Sequence, residues 1–262
     1  MNTESNSIAW IKTRLVAVHG DELTALLEAL ADDSRAGARA LANAARARAA
    51  RVRQEDERLD RMMQMQRELH DRGILVVVGV DEVGRGALAG PVTAAAVVLS
   101  VDTRVEGLND SKKLAPAARV RIAVRVQEQA IAWSIAHAQP EEIDAVGIAP
   151  ATRLAWRRAL ESLGCEFDHV LVDGNDGKGL GSRVTTVIGG DARVACIAAA
   201  SVIAKVARDT MMAESASTYP GYGFERNKGY GAADHLERLR TAGPCAIHRR
   251  SFAPCSELDR LF

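Results

Sequence analysis

The sequence predicts an α/β protein with a central mixed β-sheet flanked by helices and an N-terminal helical extension. Three observations carry this. After residue 73, apolar runs rich in β-branched residues recur between turn residues (ILVVVGV, VTAAAVVL, HVLVDG), as buried strands do. Helical stretches separate them, and strands alternating with helices build layered α/β sheets. Upstream of residue 73 glycine is scarce, proline absent, and Ala, Arg, Leu and Met dominate, which is a helical composition.

Taken in order, residues 34–65 predict one long helix with Ser34 as its N-cap. Its apolar stripe is mostly alanine. Arg35, Arg39, Arg46, Arg48, Arg51 and Arg53 fall in a stretch without an acid, which reads equally as a solvated face or as an arm facing phosphates. The first strand is expected at residues 74–80. A Gly90-Pro91 turn leads to a second at Val92–Leu99, residues 119–130 are helical, and Ile131–Ala138 alternates like a strand. Residues 141–164 read as one or two helices, 169–174 and 183–188 as strands, and 191–217 as a long, buried, Ala-rich helix. The organisation is therefore a helical extension over residues 1–72 and a catalytic α/β domain over residues 73–262, including a helical C-terminal part.

Composition excludes several classes. The chain has 262 residues, 47% hydrophobic and 26% charged, with 34 basic and 34 acidic residues, so it is neither disordered nor a strongly basic coat protein. Cys165, Cys196, Cys245 and Cys255 form no CxxC pair and have no His at zinc spacing, which points to reduced thiols. No segment reaches the ~20 apolar residues that span a bilayer. Glu4 and the lack of an apolar core at the N-terminus speak against a signal peptide, so a cytoplasmic location and no membrane partner are expected.

Two strand candidates end in acid, in GVDEVGRG and in LVDGN. Strand carboxyl ends are where α/β sheets form ligand sites. Taken singly, Asp81 or Asp173 is more often a turn former or helix cap; together, beside Glu82, they suggest a carboxylate cluster. Adjacent strand residues face opposite ways, so Asp81 and Glu82 would share a site only if the chain turns there, with Gly84 and Gly86 supplying the freedom. Clustered carboxylates repel unless a cation neutralises them, and oxygen ligands without His or Cys suit Mg2+ or Mn2+. Such a site is suited to phosphoryl transfer, with two ions at work. Asp191 opens the long Ala-rich stretch and reads equally as its N-cap, while Asp209 reads as an ion-pair partner.

These residues lie in motifs that resemble those of the ribonuclease HII family. Asp81-Glu82-Val83-Gly84-Arg85-Gly86 with LAGPVTAAAVVL is similar to its first motif. LNDSKKL, LVDGN, GDARV with IAAASVIAKVARD, NKGYGAADH and HRRSFAPC follow in the family's order, over about residues 73 to 256. The Arg-rich leader is similar in composition to that of many Gram-positive-type members. The resemblance implies a ribonuclease H-like fold and an endoribonuclease that cuts the RNA strand of RNA–DNA hybrids and incises duplex DNA at embedded ribonucleotides. Metal-assisted attack of water would leave 3′-hydroxyl and 5′-phosphate ends. Asp81, Glu82, Asp173 and Asp191 would be the catalytic metal ligands. Gly84, Arg85 and Gly86 would sense a ribose 2′-OH, Tyr230 would stack on the next sugar, and Ser111, Lys112 and Lys113 would hold flanking phosphates. The sequence departs from the family pattern at Gly190, Asn227, Gly231-Ala232 and Ala87, none of them a ligand position. A DNA endonuclease on the same fold and a silent hybrid-binding protein are the rival readings. The glycine loop with Tyr230 counts against the first, the full set of acids against the second.

Overall fold

The computed structural model describes residues 6–258. Glu4 and residues 259–262 of the expected C-terminal part lie outside the described residues. Two compact units emerge, Met1–Arg58 and Leu59–Phe262.

The first unit is helical. Helices α1 (Ile8–Ala17) and α2 (Gly20–Ala29) precede α3 (Ala36–His70), whose first turns belong to this unit. Ile11, Leu15, Leu26, Leu30, Ala38 and Ala42 form its core. The side chain that accepts at the start of α3 is Asp33, bonded to the Arg35 N–H at 3.0 Å, and not the expected Ser34. The arginine stretch is partly spent on the unit itself. The last carbonyls of a helix lack intrahelical partners. Arg48 donates to the Leu15 carbonyl (2.8 Å) and Arg46 to that of Leu27 (2.6 Å), closing the ends of α1 and α2. Arg35 grips Asp33 bidentately, and Arg39 donates to the Asp33 and Ser34 carbonyls.

In the second unit the elements are β1 (Val77–Val83), β2 (Val92–Val98), α4 (Pro116–Gln129), β3 (Ala132–Ala138), α5 (Pro140–Val146) and α6 (Ile148–Glu161). They continue with β4 (His169–Asp173), β5 (Val184–Val187), α7 (Ala195–Thr218), α8 (Phe224–Asn227), α9 (Ala233–Ala242) and α10 (Cys255–Leu258). The sheet order is β3-β2-β1-β4-β5. β1 runs antiparallel to β2 and parallel to β4, so the sheet is mixed and β1 is central. One face packs against α7 and α4 and the other against α6, each over its own apolar cluster. Gly79 sets how closely α7 approaches: a Cβ there would lie 2.2 Å from the Cys196 carbonyl carbon.

By packing, the two compact units divide inside α3, between Arg58 and Leu59. Leu59, Met62, Met63 and Leu69 are buried in the cluster that includes Val77 and Ile197, and the Gln66 side chain accepts the Cys196 N–H at 3.1 Å. Gly147, at φ 81°, divides residues 141–164 into two helices. Among the described residues no helix is long and apolar enough to cross a membrane, and the four cysteines are free.

Candidate active site

β1 and β4 pair in parallel as far as Val80 and Val172, so Asp81 and Asp173 follow side by side at the carboxyl rim. Residues in register on neighbouring strands share a face, which is why two distant apolar runs bring their terminal acids together. Asp81 is 5% exposed. Burial pushes its carboxyl well above the usual range, and the charges of Glu82 and Asp173 push the same way, partly offset by the Ser201 hydroxyl. Ser201 lies on α7 and shares a 2.9 Å hydrogen bond with Ser111, which sits in a single 3-10 turn, Ser111–Lys113.

The chain does not turn at Asp81-Glu82, the condition under which the two side chains would share one face. β1 continues to Val83, and the turn comes at Gly84, whose φ is 91°. Glu82 therefore faces the α6 side, where its Oε2 accepts the Trp156 indole N–H (3.0 Å) and its Oε1 accepts Arg85 Nη1 (3.2 Å). Burial raises its pKa; Arg85 and Trp156 oppose the rise and Asp173 adds to it. Asp173 accepts the Gly190 N–H at 2.7 Å. Its pKa is raised by burial and by Asp191, against backbone donors from Gly190, Asp191 and Gly174.

Asp191 does not cap the long helix. It is buried in a separate 3-10 turn, Gly190–Ala192, and the position before α7 is Val194. Its Oδ2 meets Lys112 Nζ at 3.1 Å. Burial lowers the Lys112 pKa, but the Asp191 hydrogen bond and charge more than reverse this. Asp81 and Asp173 thus stand side by side at two strand ends, the charge of Asp191 acts on Asp173 from its turn, Glu82 feels Asp173 while bonded to Trp156, and each of the four carries a donor from the protein. Among the described residues no three acid, His or Cys side chains stand ready-made as a metal cage.

The remaining predicted residues divide. Gly84 is buried, and a Cβ on it would meet Arg208 Nε at 2.2 Å, whereas Arg85 and Gly86 are exposed. Ser111 is 4% exposed and bonded to Ser201, so it supports the Asp81 side of the site and does not face solvent phosphates; Lys112 and Lys113 are exposed. Tyr230 is half-buried beneath two cations, with Arg208 Cζ 5.4 Å and Lys205 Nζ 5.7 Å from its ring centre. It lines an open groove of about 870 Å³ with Arg119, Asp209 and Lys228. Asp209 pairs with Lys205 (2.7 Å) and Arg119 (3.5 Å), while Arg208 turns inward. Sequence reasoning missed Trp156, Ser201, Arg208 and Arg249. The available signal was a polar residue in an apolar context: Ser201 and Arg208 interrupt the Ala-rich run of α7.

This mixed sheet, with acids at the carboxyl rim of its central strands, defines an α/β nuclease of the ribonuclease H-like class. The fold matches ribonuclease H2 from Pyrococcus horikoshii OT3 (TM-score 0.61, 24% identity, 71% of this chain and 98% of that one). It also matches Bst-RNase HIII in complex with Mn2+ (TM-score 0.59, 21% identity, 73% and 71%). The family model for ribonuclease HII matches residues 78–255, and that for the ribonuclease HII N-terminal domain matches residues 7–70. Ribonuclease HII of Moorella thermoacetica is 48% identical over 198 residues, 76% of this chain and 96% of the relative. The chain belongs to the ribonuclease HII family. Its activity is endonucleolytic hydrolysis of RNA in RNA–DNA hybrids.

Proposed function

We propose that the enzyme incises duplex DNA at single embedded ribonucleotides as well as cutting RNA–DNA hybrids. The cut would fall on the 5′ side of the ribonucleotide and leave 3′-hydroxyl and 5′-phosphate ends. The observation that carries the catalytic part is Asp81 and Asp173 side by side at one sheet rim, with the pKa values of both and of the neighbouring Glu82 raised. Three carboxylates that burial and mutual repulsion hold short of cation suit a divalent ion of the hard, oxygen-loving kind, Mg2+ or Mn2+. Asp81, Glu82, Asp173 and Asp191 are the residues that would hold it, and the Mn2+ complex of the Bst enzyme supports the choice of metal. When bound, the ions supply charge stabilisation to the phosphoryl centre and an acidified water.

The chain's own residues do the rest. Ser201 and Ser111 fix the Asp81 side chain, Trp156 and Arg85 fix Glu82, and the Gly190 N–H fixes Asp173. Lys112 and Lys113, exposed beside the site, are placed to meet flanking phosphates. The exposed backbone at Arg85-Gly86 lets a ribose 2′-OH approach, since nothing lies within 4 Å of where a Gly86 Cβ would be. Tyr230 offers a ring face to the adjacent deoxyribose. A site whose polar groups need a 2′-OH rejects all-DNA duplex strongly, because those groups would be left unpaired.

The test is cleavage of a DNA duplex with one ribonucleotide, an all-DNA duplex and a long hybrid, with Mg2+ or Mn2+ and with chelator. Tyr230→Ala should cost more on the single-ribonucleotide duplex than on the hybrid. A wild-type requirement for four or more consecutive ribonucleotides would sink the single-ribonucleotide reading.

A further inference from the structure

The two largest fully buried side chains are arginines, Arg208 and Arg249. Neither forms an ion pair among the described residues, and their guanidinium hydrogen bonds run to main-chain carbonyls. Burying a charge without a counterion is costly, and the neighbourhood is apolar, with Leu88, Met212, Tyr222 and Phe224 packed close by. An aliphatic side chain would fill the volume without that cost. What it would not supply is a rigid, planar fork of five donors.

The carbonyls they hold are those of the glycine loop and the Tyr230 turn. Arg249 Nη2 donates to the Gly84 carbonyl (2.6 Å) and to that of Gly90 (2.8 Å), joining the start of the loop to its end. Its Nε also reaches Gly90 (3.0 Å), and its Nη1 reaches Arg85 (2.8 Å). Arg208 donates to Pro91 (2.9 Å), to Ala89 (3.0 Å) and across to Lys228 (2.9 Å), two residues before Tyr230, whose ring lies under it. Lys228 has a positive φ of 54°, a conformation a lysine adopts only when its surroundings impose it. Backbone bonds complete the joint: the Leu88 and Ala89 N–H groups both donate to the Gly229 carbonyl (2.8 and 3.2 Å), and Arg249 N–H donates to Leu88 (2.9 Å).

We infer that Arg208 and Arg249 are positioning residues for ribose recognition, locking the Gly84–Pro91 loop and the Tyr230 turn into one rigid block. This rests on the proposed reading of that loop and Tyr230 as the ribose-sensing parts. Recognition of one 2′-OH needs the loop backbone and the ring at a fixed separation, and the sheet holds only the two ends of the loop. Burial, reinforced by the charge of Arg208, lowers the Arg249 pKa to about 9, which leaves the fork fully protonated at neutral pH.

The experiment compares wild type with Arg249→Lys and Arg208→Lys on the single-ribonucleotide duplex and on a long hybrid. A lysine keeps the charge, but its single ammonium cannot replace the three separate nitrogens with which the guanidinium holds the Gly84, Arg85 and Gly90 carbonyls. The expected result is a fall in kcat/KM of about 100-fold on the single-ribonucleotide duplex, the scale of an ångström-sized misplacement. The fall on the hybrid should be at least about tenfold smaller. Equal losses on both substrates, or a lysine variant with the wild-type ratio, would overturn the inference. Should the variants not fold, amide exchange in the wild type decides: Leu88, Ala89, Gly90 and Arg249 should exchange with one common protection. Scattered rates would overturn the single block. If the wild type fails to discriminate the 2′-OH at all, the proposed function fails instead, a different result from a discriminating enzyme whose variants keep the ratio.

Discussion

Replacing Gln66 with leucine should destabilise the catalytic unit although the volume and the helix are kept. Gln66 is 1% exposed, and its Oε1 accepts the N–H of Cys196, the second residue of α7. The first N–H groups of a helix have no intrahelical acceptor, and no side chain caps α7 at Val194. The leucine leaves that buried donor orphaned, at a cost of about 1–3 kcal/mol. For a unit of this size each kcal/mol moves Tm by roughly 2–4 °C, so Tm should fall by about 2–12 °C in a calorimetric or circular-dichroism melt. Gln64→Leu, on an exposed part of the same helix, is the control and should stay within about 0.5 kcal/mol of wild type. Activity on a hybrid should fall as well when the first turn of α7 loosens, because Asp191 lies four residues before it. If Gln66→Leu melted within about 1 °C of wild type, or the control fell equally, the last turns of α3 would not belong to the catalytic core.

Asp81→Asn and Asp173→Asn should each abolish cleavage while hybrid binding survives; retention of more than about a tenth of the activity, roughly 1.4 kcal/mol of transition-state stabilisation, would contradict the site. With chelator present, Asp81→Asn should melt above wild type at neutral pH. The raised Asp81 pKa means that folded-state stability is lost as pH rises through the ordinary carboxylate range toward the raised value, so the difference should vanish in acid. Removing residues 1–58 should leave a folded nuclease, whereas removing 1–70 should not; the shorter deletion should flatten the log–log salt slope of hybrid binding by at most about 1.8, for the exposed Arg51 and Arg53 at about 0.9 each. Burial and the neighbouring His235 lower the His248 pKa to about 4, so its contribution is present above the unfolded value near 6.5 and is lost as pH falls toward 4. A phenylalanine at His248 should flatten that part of the stability–pH curve, and an unchanged curve would refute the assignment.

Much of the sheet was legible because apolar β-branched runs announce buried strands, and the acids ending two of them announced the rim. What local pattern could not show is how register does the clustering. No kink forms at Asp81-Glu82: parallel pairing of β1 with β4 sets Asp81 beside Asp173, while Glu82 turns to a tryptophan on the opposite face. The same limit explains the arginines. Arg46 and Arg48 read equally as a solvated face or a phosphate-facing arm because charge runs are read by sign, but their partners are carbonyls at helix ends 19 and 33 residues away. Gln66 and Arg249 act on groups 130 and up to 165 residues distant, and no periodicity in either segment announces that.

α7 is the element through which these separate parts become one site. Ser201, Lys205, Arg208 and Met212 follow at helical spacing, so they form one stripe along it. Ser201 serves Asp81, Lys205 pairs with Asp209 in the groove, Arg208 holds the loop and the Tyr230 turn, and Met212 packs beneath Gly90. Gly79 lets the start of this helix press directly on β1, two residues from Asp81. Asp81 and the Gly84–Pro91 loop, proposed to sense ribose, follow in succession from the same strand, and the same helix receives both. A displacement of α7 would therefore move the Asp81 support and the loop clamp together. That coupling gives a physical reason for chemistry and recognition to stay in register: the distance between them is set by a rigid helix on a close-packed sheet and not by the loop alone.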